Sequence, residues 1–267
     1  MPELPDVETF KRVLAKSALR KTIARVVVGD KRILGTLAVA TFVGRLQGAK
    51  LLAARRHGKH LLARIDRGGW LTLHFGMTGA LDFVATPDRE PPFTRVRLDF
   101  AGDGALAYTN KRMLGRVGLS DDDADFVAAE KLGPDALDAR LDFPAFKAAL
   151  SGVKRDVKSA LMDQQIIAGI GNIYSDEILF QARLDPAART DTLSANQLHE
   201  LYRKMREVLD TAIARGAGSE QFTERMPKGA LLPERKKGGH CPRCKSPLKV
   251  FKLGGRTAYC CPRCQNC

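Results

Sequence analysis

The sequence predicts an α+β protein: an antiparallel β-sandwich or flattened barrel, followed by a helical region that carries a cysteine-stapled β-hairpin. Three observations predict it. Apolar residues alternate in WLTLHFGM (Leu71, Leu73, Phe75) and in RVRLDF (Val96, Leu98, Phe100), the period of strands with one buried face. Between Leu198 and Ala212 the apolar period lengthens to that of a helix. The tetrapeptide CPRC occurs twice, at 241–244 and 261–264.

The elements follow in order. Residues 5–17 suit a short helix: Pro5 fits a first turn, Asp6 and Glu8 favour its N-terminal end, and Val7, Phe10, Val13 and Leu14 form one apolar face. From about 22 to 120 the pattern reads as strands, separated by glycine-rich breaks at 68–69, 76–79 and 102–104, the last within the turn AGDG. The run DDDAD at 121–125 marks a boundary. Beyond it VKSALMDQQII predicts a helix, GIGN a turn, and IYSDEILFQA a second helix. Ser194 and Gln197 have capping-box spacing and open a longer helix. Its stripe Leu198, Leu201, Tyr202, Met205, Val208, Leu209 and Ala212 reads as core, and Gly216 ends it. Residues 217–240 read as a mobile, basic loop.

Charge narrows the function classes. The 267 residues carry 44 Lys+Arg against 30 Asp+Glu, a net +14, with 44% hydrophobic content. Eleven basic residues and one acidic residue lie between Arg225 and Arg263. A basic excess concentrated at one end fits a polyanion, bound with release of counterions. No apolar run reaches membrane-spanning length. MPELPDVETF has neither the basic start nor the apolar stretch of a signal peptide, so a cytoplasmic protein is expected.

All six cysteines lie at 241–267, whereas a disulfide scaffold would spread them along the chain. The spacing C-x2-C-x16-C-x2-C lets Cys241, Cys244, Cys261 and Cys264 surround one tetrahedral zinc, each CxxC supplying two thiolates from one knuckle. Cys267 forms a competing CxxC with Cys264, and Cys260 adjoins Cys261, but the duplicated pair is preferred. Between the knuckles, LKVFKL and RTAYC flank Gly254-Gly255, the signature of a two-residue hairpin. Arg256 then sits just past the tip, as a phosphate or base probe or as a solvated turn residue. In GIGN, Asn172 begins a helix, where its amide and the free N–H groups can meet a phosphate; an ordinary Asn N-cap is the competing reading. Lys158, near the start of the preceding helix, can serve the same phosphate.

Together, MPELPDVE, RRHGKHLL at 55–62, HFGMTG at 74–79, LMDQQIIAGIGNIYSDEILF at 161–180 and the cysteine hairpin with GRTAYC resemble the formamidopyrimidine-DNA glycosylases, in order along nearly the whole chain. The resemblance implies an N-terminal β-sandwich catalytic domain (1–125), a helix-two-turn-helix DNA-binding domain (126–225) and a basic loop with a four-cysteine zinc finger (226–267). It implies a monomeric, bifunctional glycosylase/AP lyase of base excision repair, acting on double-stranded DNA with damaged bases or abasic sites and holding one structural Zn2+. Removal of Met1 would expose the Pro2 amine, which titrates near ~8 and so is partly unprotonated. That amine would attack C1′ of a flipped nucleotide and leave a Schiff base. Glu3 matches the acid/base partner, Lys59 the lysine of β-elimination, and Arg256 the finger arginine of phosphate binding and δ-elimination. Asn172 and Lys158 match phosphate ligands, and Met77 and Arg112 match wedges that fill the gap left by the flipped base.

Three departures bear on damage recognition. In YTNKRMLG (108–115), Leu114 takes the place of the family's aromatic third wedge, with Met113 beside it. Phe93 stands where the family has a DNA-contacting histidine, and the loop 217–240 is shorter than the loop that closes over 8-oxoguanine. Leu4 favours oxidised purines (8-oxoguanine, formamidopyrimidines) as substrates. The short loop and changed wedge motivate an endonuclease VIII-like preference for oxidised pyrimidines, or a non-catalytic lesion-binding paralogue.

Overall fold

A computed structural model describes residues 1–86, 90–102 and 104–267. Asp103, inside the expected AGDG turn, lies outside the described residues. The chain forms two compact units, one of Met1–Pro2 with Val7–Glu130 and one of Glu3–Asp6 with Lys131–Cys267.

The first unit is a sandwich. One antiparallel sheet has the order β1-β6-β7-β5 (Ile23–Val28, Thr94–Phe100, Ala105–Asn110, Gly79–Val84). The other has the order β2-β3-β4-β8 (Leu51–His57, His60–Ile65, Trp70–His74, Arg116–Ser120). One apolar cluster joins them: Leu61, Leu71, Leu73 and Val117 from one sheet meet Val26, Leu98, Leu106 and Tyr108 from the other, with Val7 and Leu14 of helix α1 (Leu4–Ser17). The strand-like stretch also holds a helix, α2 (Val39–Leu46), whose Phe42 and Leu46 are buried. DDDAD is a helix start: Asp122 caps α3 (Asp123–Ala129) by accepting from the N–H groups of Ala124 and Asp125, and α3 belongs to the first unit.

The second unit is built on α4 (Phe143–Leu150), α5 (Val157–Met162), α6 (Asn172–Gln181) and α7 (Ala195–Arg215). The Ser194/Gln197 capping box forms, and Leu198, Leu201, Met205, Val208, Leu209 and Ala212 of α7 are buried. Tyr202 is half-buried and donates its hydroxyl to the Leu141 carbonyl. The helix expected over VKSALMDQQII stops at Met162. There the Gln164 amide turns back to the carbonyls of Met162 and Ile170 and accepts from Gly169 N–H, so a side chain closes the turn that backbone bonds would have continued. The stretch 217–240 is more structured than a loop: two short 3-10 turns form, and Met226, Ala230, Leu231 and Leu232 are buried.

His60 and His74 face each other across β3 and β4 with ring centroids 4.8 Å apart, and the Phe126 ring meets His60 edge-on. Burial, reinforced by His74, pushes the His60 imidazole down to about 3. A folded value depressed below the ordinary 6.5 means that His60 must be neutral in the native state, so its contribution is intact above 6.5 and lost as pH falls toward 3. We expect His60→Phe to flatten that acid-side loss of stability, measured by urea unfolding between pH 7 and pH 4.

Candidate DNA-lesion site

The N-terminal residues of the chain become part of a helix terminus. The Glu3 carboxylate is buried and accepts three backbone hydrogen bonds, from Gly171 (2.7 Å), Ile173 (2.8 Å) and Tyr174 (3.2 Å). These are orphan donors at the positive end of α6, so an anion there is stabilised by both charge-assisted bonds and the helix dipole. A Cβ at Gly171 would overlap that carboxylate, which is why glycine precedes Asn172. The helix cap is therefore Gly171, and three of the N–H groups at this end, those of Gly171, Ile173 and Tyr174, are occupied by Glu3. The Asn172 side chain lies beside them, its Oδ1 buried without a partner among the described residues.

Asp6 completes the anchor. It accepts from Glu3 N–H at 2.8 Å and from Ser219 N–H at 3.1 Å, tying the start of α1 to the segment after α7. Burial raises the Asp6 carboxyl above its usual range, against the pull of these donors. The sequence had marked Asp6 only as a favourable helix-start residue. Its partner lies more than 200 positions away, and no local signal reveals it.

Lys158 is fully buried. Its Nζ donates to the Asn172 carbonyl at 3.2 Å and pairs with Asp176, itself buried. Burial lowers the Lys158 ammonium, and Asp176 opposes that shift. Asp176 also accepts from Arg235 Nε at 2.7 Å. One carboxylate between two cations leaves net positive charge beside Asn172, the electrostatic condition for an anion site. Neither Asp176 nor Arg235 stood out in the sequence, since an acid inside a helix and an arginine in a basic loop are ordinary surface residues.

Next to Asp176, Glu177 is buried, accepts from Gln181 and from Leu232 N–H at 2.8 Å, and so docks the 223–235 segment on α6. Its carboxyl is pushed up to about 7 by burial.

The expected wedge residues share two loops of the first unit. Met77 is half-buried between β4 and β5, and Arg112 and Leu114 are exposed between β7 and β8. Arg112 N–H donates to the Thr78 hydroxyl at 3.0 Å, and buried Asn110 binds Phe75 carbonyl, Tyr108 hydroxyl and Leu114 N–H. Leu114 is 51% exposed, whereas Met113 packs against the sandwich core. Phe93 is also exposed, with Lys111 Nζ 5.7 Å from its ring centroid. Lys59, in the turn between β2 and β3, is buried, and neighbouring Arg56 pairs with Glu8 of α1 at 3.0 Å. Pro2 is half-buried and joined by its peptide bond to Glu3.

The sulfurs of Cys241, Cys244, Cys261 and Cys264 lie within 4.8 Å of one another and can hold a metal ion. Cys260 and Cys267 are joined as a disulfide, so the competing CxxC does not contribute. Strands β9 (Lys249–Leu253) and β10 (Arg256–Cys260) pair through Gly254 and Gly255, whose φ values of 53° and 75° are those a two-residue turn requires. Arg256 is exposed beside this tip.

Residues 1–117 match the formamidopyrimidine-DNA glycosylase N-terminal domain, and residues 132–224 match the H2TH domain of the same enzymes. The chain belongs to the formamidopyrimidine-DNA glycosylase family. Relatives that share full-length similarity include the enzymes of Carboxydothermus hydrogenoformans (35% identical over 272 residues, 100% of both chains) and Thermomicrobium roseum (34%, 99% of both chains). Similar solved structures include Lactococcus lactis Fpg (MutM) bound to DNA containing an N7-benzyl-Fapy-dG (TM-score 0.88, 27% identity, 99% of both chains). Another is the Lactococcus lactis enzyme with abasic-site DNA (TM-score 0.87, 27% identity, 98% of this chain and 99% of that one). As a member of this family the chain is a DNA glycosylase/AP lyase of base excision repair.

Asn110→Ala removes two buried hydrogen bonds and one part-buried one, taking one of two partners from the Phe75 carbonyl and from the Tyr108 hydroxyl. It should cost about 2–4 kcal/mol in urea unfolding.

Proposed function

We propose that the chain excises oxidised purines, 8-oxoguanine and formamidopyrimidines, from duplex DNA through a covalent Pro2 intermediate, and then cleaves the strand by β,δ-elimination. The observation that carries the proposal is the Glu3 carboxylate seated on the amides of Gly171, Ile173 and Tyr174. Two motifs 170 residues apart are joined at one point, and Pro2 is the residue before Glu3.

With Met1 removed, Pro2 presents a secondary amine. Its lone pair attacks C1′ of the flipped nucleotide and the bond from C1′ to the base nitrogen breaks with a proton delivered to the leaving base; the Pro2 nitrogen then loses its proton and the C1′–O4′ bond breaks with a proton delivered to O4′, leaving a C1′ iminium on Pro2. Glu3 is the acid/base group at the sugar, its carboxylate already oriented by three donors. The iminium acidifies C2′. Loss of that proton expels the 3′ phosphate, and loss of a second proton, from C4′ of the conjugated iminium, expels the 5′ phosphate, with Lys59 assigned to the first elimination and Arg256 to the phosphate in the second. Asn172, together with the charge of Lys158, holds the backbone of the kinked duplex. Met77, Arg112 and Leu114 fill the vacated stack from the two loops that Thr78 and Asn110 tie together.

The metal proposed for the four cysteines is one structural zinc. A tetrahedral Zn–S bond of about 2.3 Å requires sulfurs ~3.8 Å apart, and the pairs Cys241–Cys264 and Cys244–Cys261 stand 3.8 and 3.4 Å apart. Bound there, the ion closes the knuckles that carry Arg256.

Borohydride trapping on abasic duplex tests the nucleophile. A covalent adduct is expected from protein lacking Met1 and none from protein that retains it, in which the Pro2 nitrogen is an amide; no adduct from correctly processed protein would reject the reading. Faster excision of thymine glycol or dihydrouracil than of 8-oxoguanine would replace purine specificity with pyrimidine specificity. Stripping the metal, or Cys241→Ser, should weaken duplex binding at least tenfold in a fluorescence titration, because a structural site left empty leaves the hairpin unfolded.

A further inference from the structure

We infer that Arg235 is a positioning residue that sets the register of the cysteine hairpin on helix α6, and so holds Arg256 in fixed relation to Asn172. The inference rests on the reading of Arg256 as a DNA contact.

Arg235 is nearly buried, with 11% of its side chain exposed, and its guanidinium faces two elements at once. On the helix side Nε donates to Asp176 Oδ2 at 2.7 Å and Nη2 approaches the Asn172 carbonyl at 3.4 Å. On the hairpin side Nη2 approaches the Thr257 carbonyl, also at 3.4 Å, and the guanidinium lies 4.8 Å from the Tyr259 ring centroid. Thr257 is the neighbour of Arg256.

Adjacent carboxylates of α6 divide the work of placing this arginine. Glu177 holds its backbone through Leu232 N–H, and Asp176 orients its side chain. A second contact lies at the hairpin tip, where a Cβ on Gly254 would come within 2.8 Å of Ser159 Oγ, the residue after Lys158. The tip is thus seated on α5 and the second strand on α6, both beside the Lys158–Asp176 pair.

A planar fork suits this job and an ammonium does not. Only guanidinium donates in several directions while stacking on an aromatic face. Because Asp176 already neutralises one cation, the second charge is retained for geometry and field, and its loss should move Arg256 rather than unfold the hairpin.

The test is a double-mutant cycle on abasic duplex under single-turnover conditions, reading the half-saturating enzyme concentration, the plateau rate of borohydride-trapped adduct, and bound zinc. Arg235→Met keeps an apolar stem over Tyr259 and should raise half-saturation about tenfold, with plateau rate and zinc content within twofold of the parent. Arg256→Ala should raise half-saturation to a similar extent, and adding Arg235→Met to it should raise it by less than twofold more. Arg235→Lys, which keeps the charge at Asp176, should fall between the parent and Arg235→Met.

With half-saturation counted in zinc-loaded protein, a lowered plateau rate at unchanged half-saturation would put Arg235 in the chemical step and would overturn the inference, as would fully additive effects in the double variant. An Arg256→Ala protein with unaltered half-saturation would instead defeat the reading of Arg256 itself. Should Arg235→Met lose zinc, the comparison passes to Arg235→Lys, for which the same additivity outcome decides.

Discussion

The site depends on a single anion at a helix terminus. Four residues of the N-terminus, Glu3–Asp6, cluster with the helical unit although the rest of α1 belongs to the sandwich. The cause is electrostatic and local: α6 begins with unpaired N–H groups, and Glu3 is the carboxylate that satisfies three of them. Leu4 follows into the helical core, with its N–H on the Gly169 carbonyl, and Asp6 closes the anchor on Ser219. Pro2 adjoins this anchor through its peptide bond to Glu3.

The second organising feature is the pair of adjacent acids Asp176 and Glu177, both buried on α6. A buried carboxylate is costly unless it is paired or bonded. Asp176 is satisfied by Lys158 and Arg235, Glu177 by Gln181 and Leu232 N–H. Both therefore recruit residues distant in sequence, and both recruit from the segment leading to the cysteine knuckles. The small apolar cluster of Phe180, Leu231, Cys241 and Cys261 fills the space beneath, with Arg243 stacked on Phe180. A basic stretch that reads as loose in sequence is thereby fastened to the helix that carries Asn172.

Two of the departures from the family pattern lie at exposed positions. Leu114 and Phe93 are exposed, on loops fixed by Asn110 and its neighbours rather than by their own packing. Their identities can change without disturbing the sandwich, which is why a shift in lesion choice is compatible with an intact scaffold.

The sequence by itself determined the periodic elements and the local chemistry. Strand alternation, the α7 stripe with its capping box, the two-glycine hairpin and the duplicated CPRC are all written within a few residues of one another, and period, cap and knuckle act over that range. Pro2, Glu3 and Lys59 were singled out only through resemblance, because a terminus and a lone lysine carry no pattern. Tertiary structure alone decided which carboxylate takes the amides of α6, where α5 stops, and how the 217–240 segment docks. Each of those outcomes is a competition for a buried hydrogen bond between groups far apart in the chain: Glu3 against a phosphate for the α6 amides, Gln164 against the helix ladder, Glu177 against solvent for Leu232. Burial settles such competitions, and burial is a property of the folded chain rather than of any short stretch of its sequence.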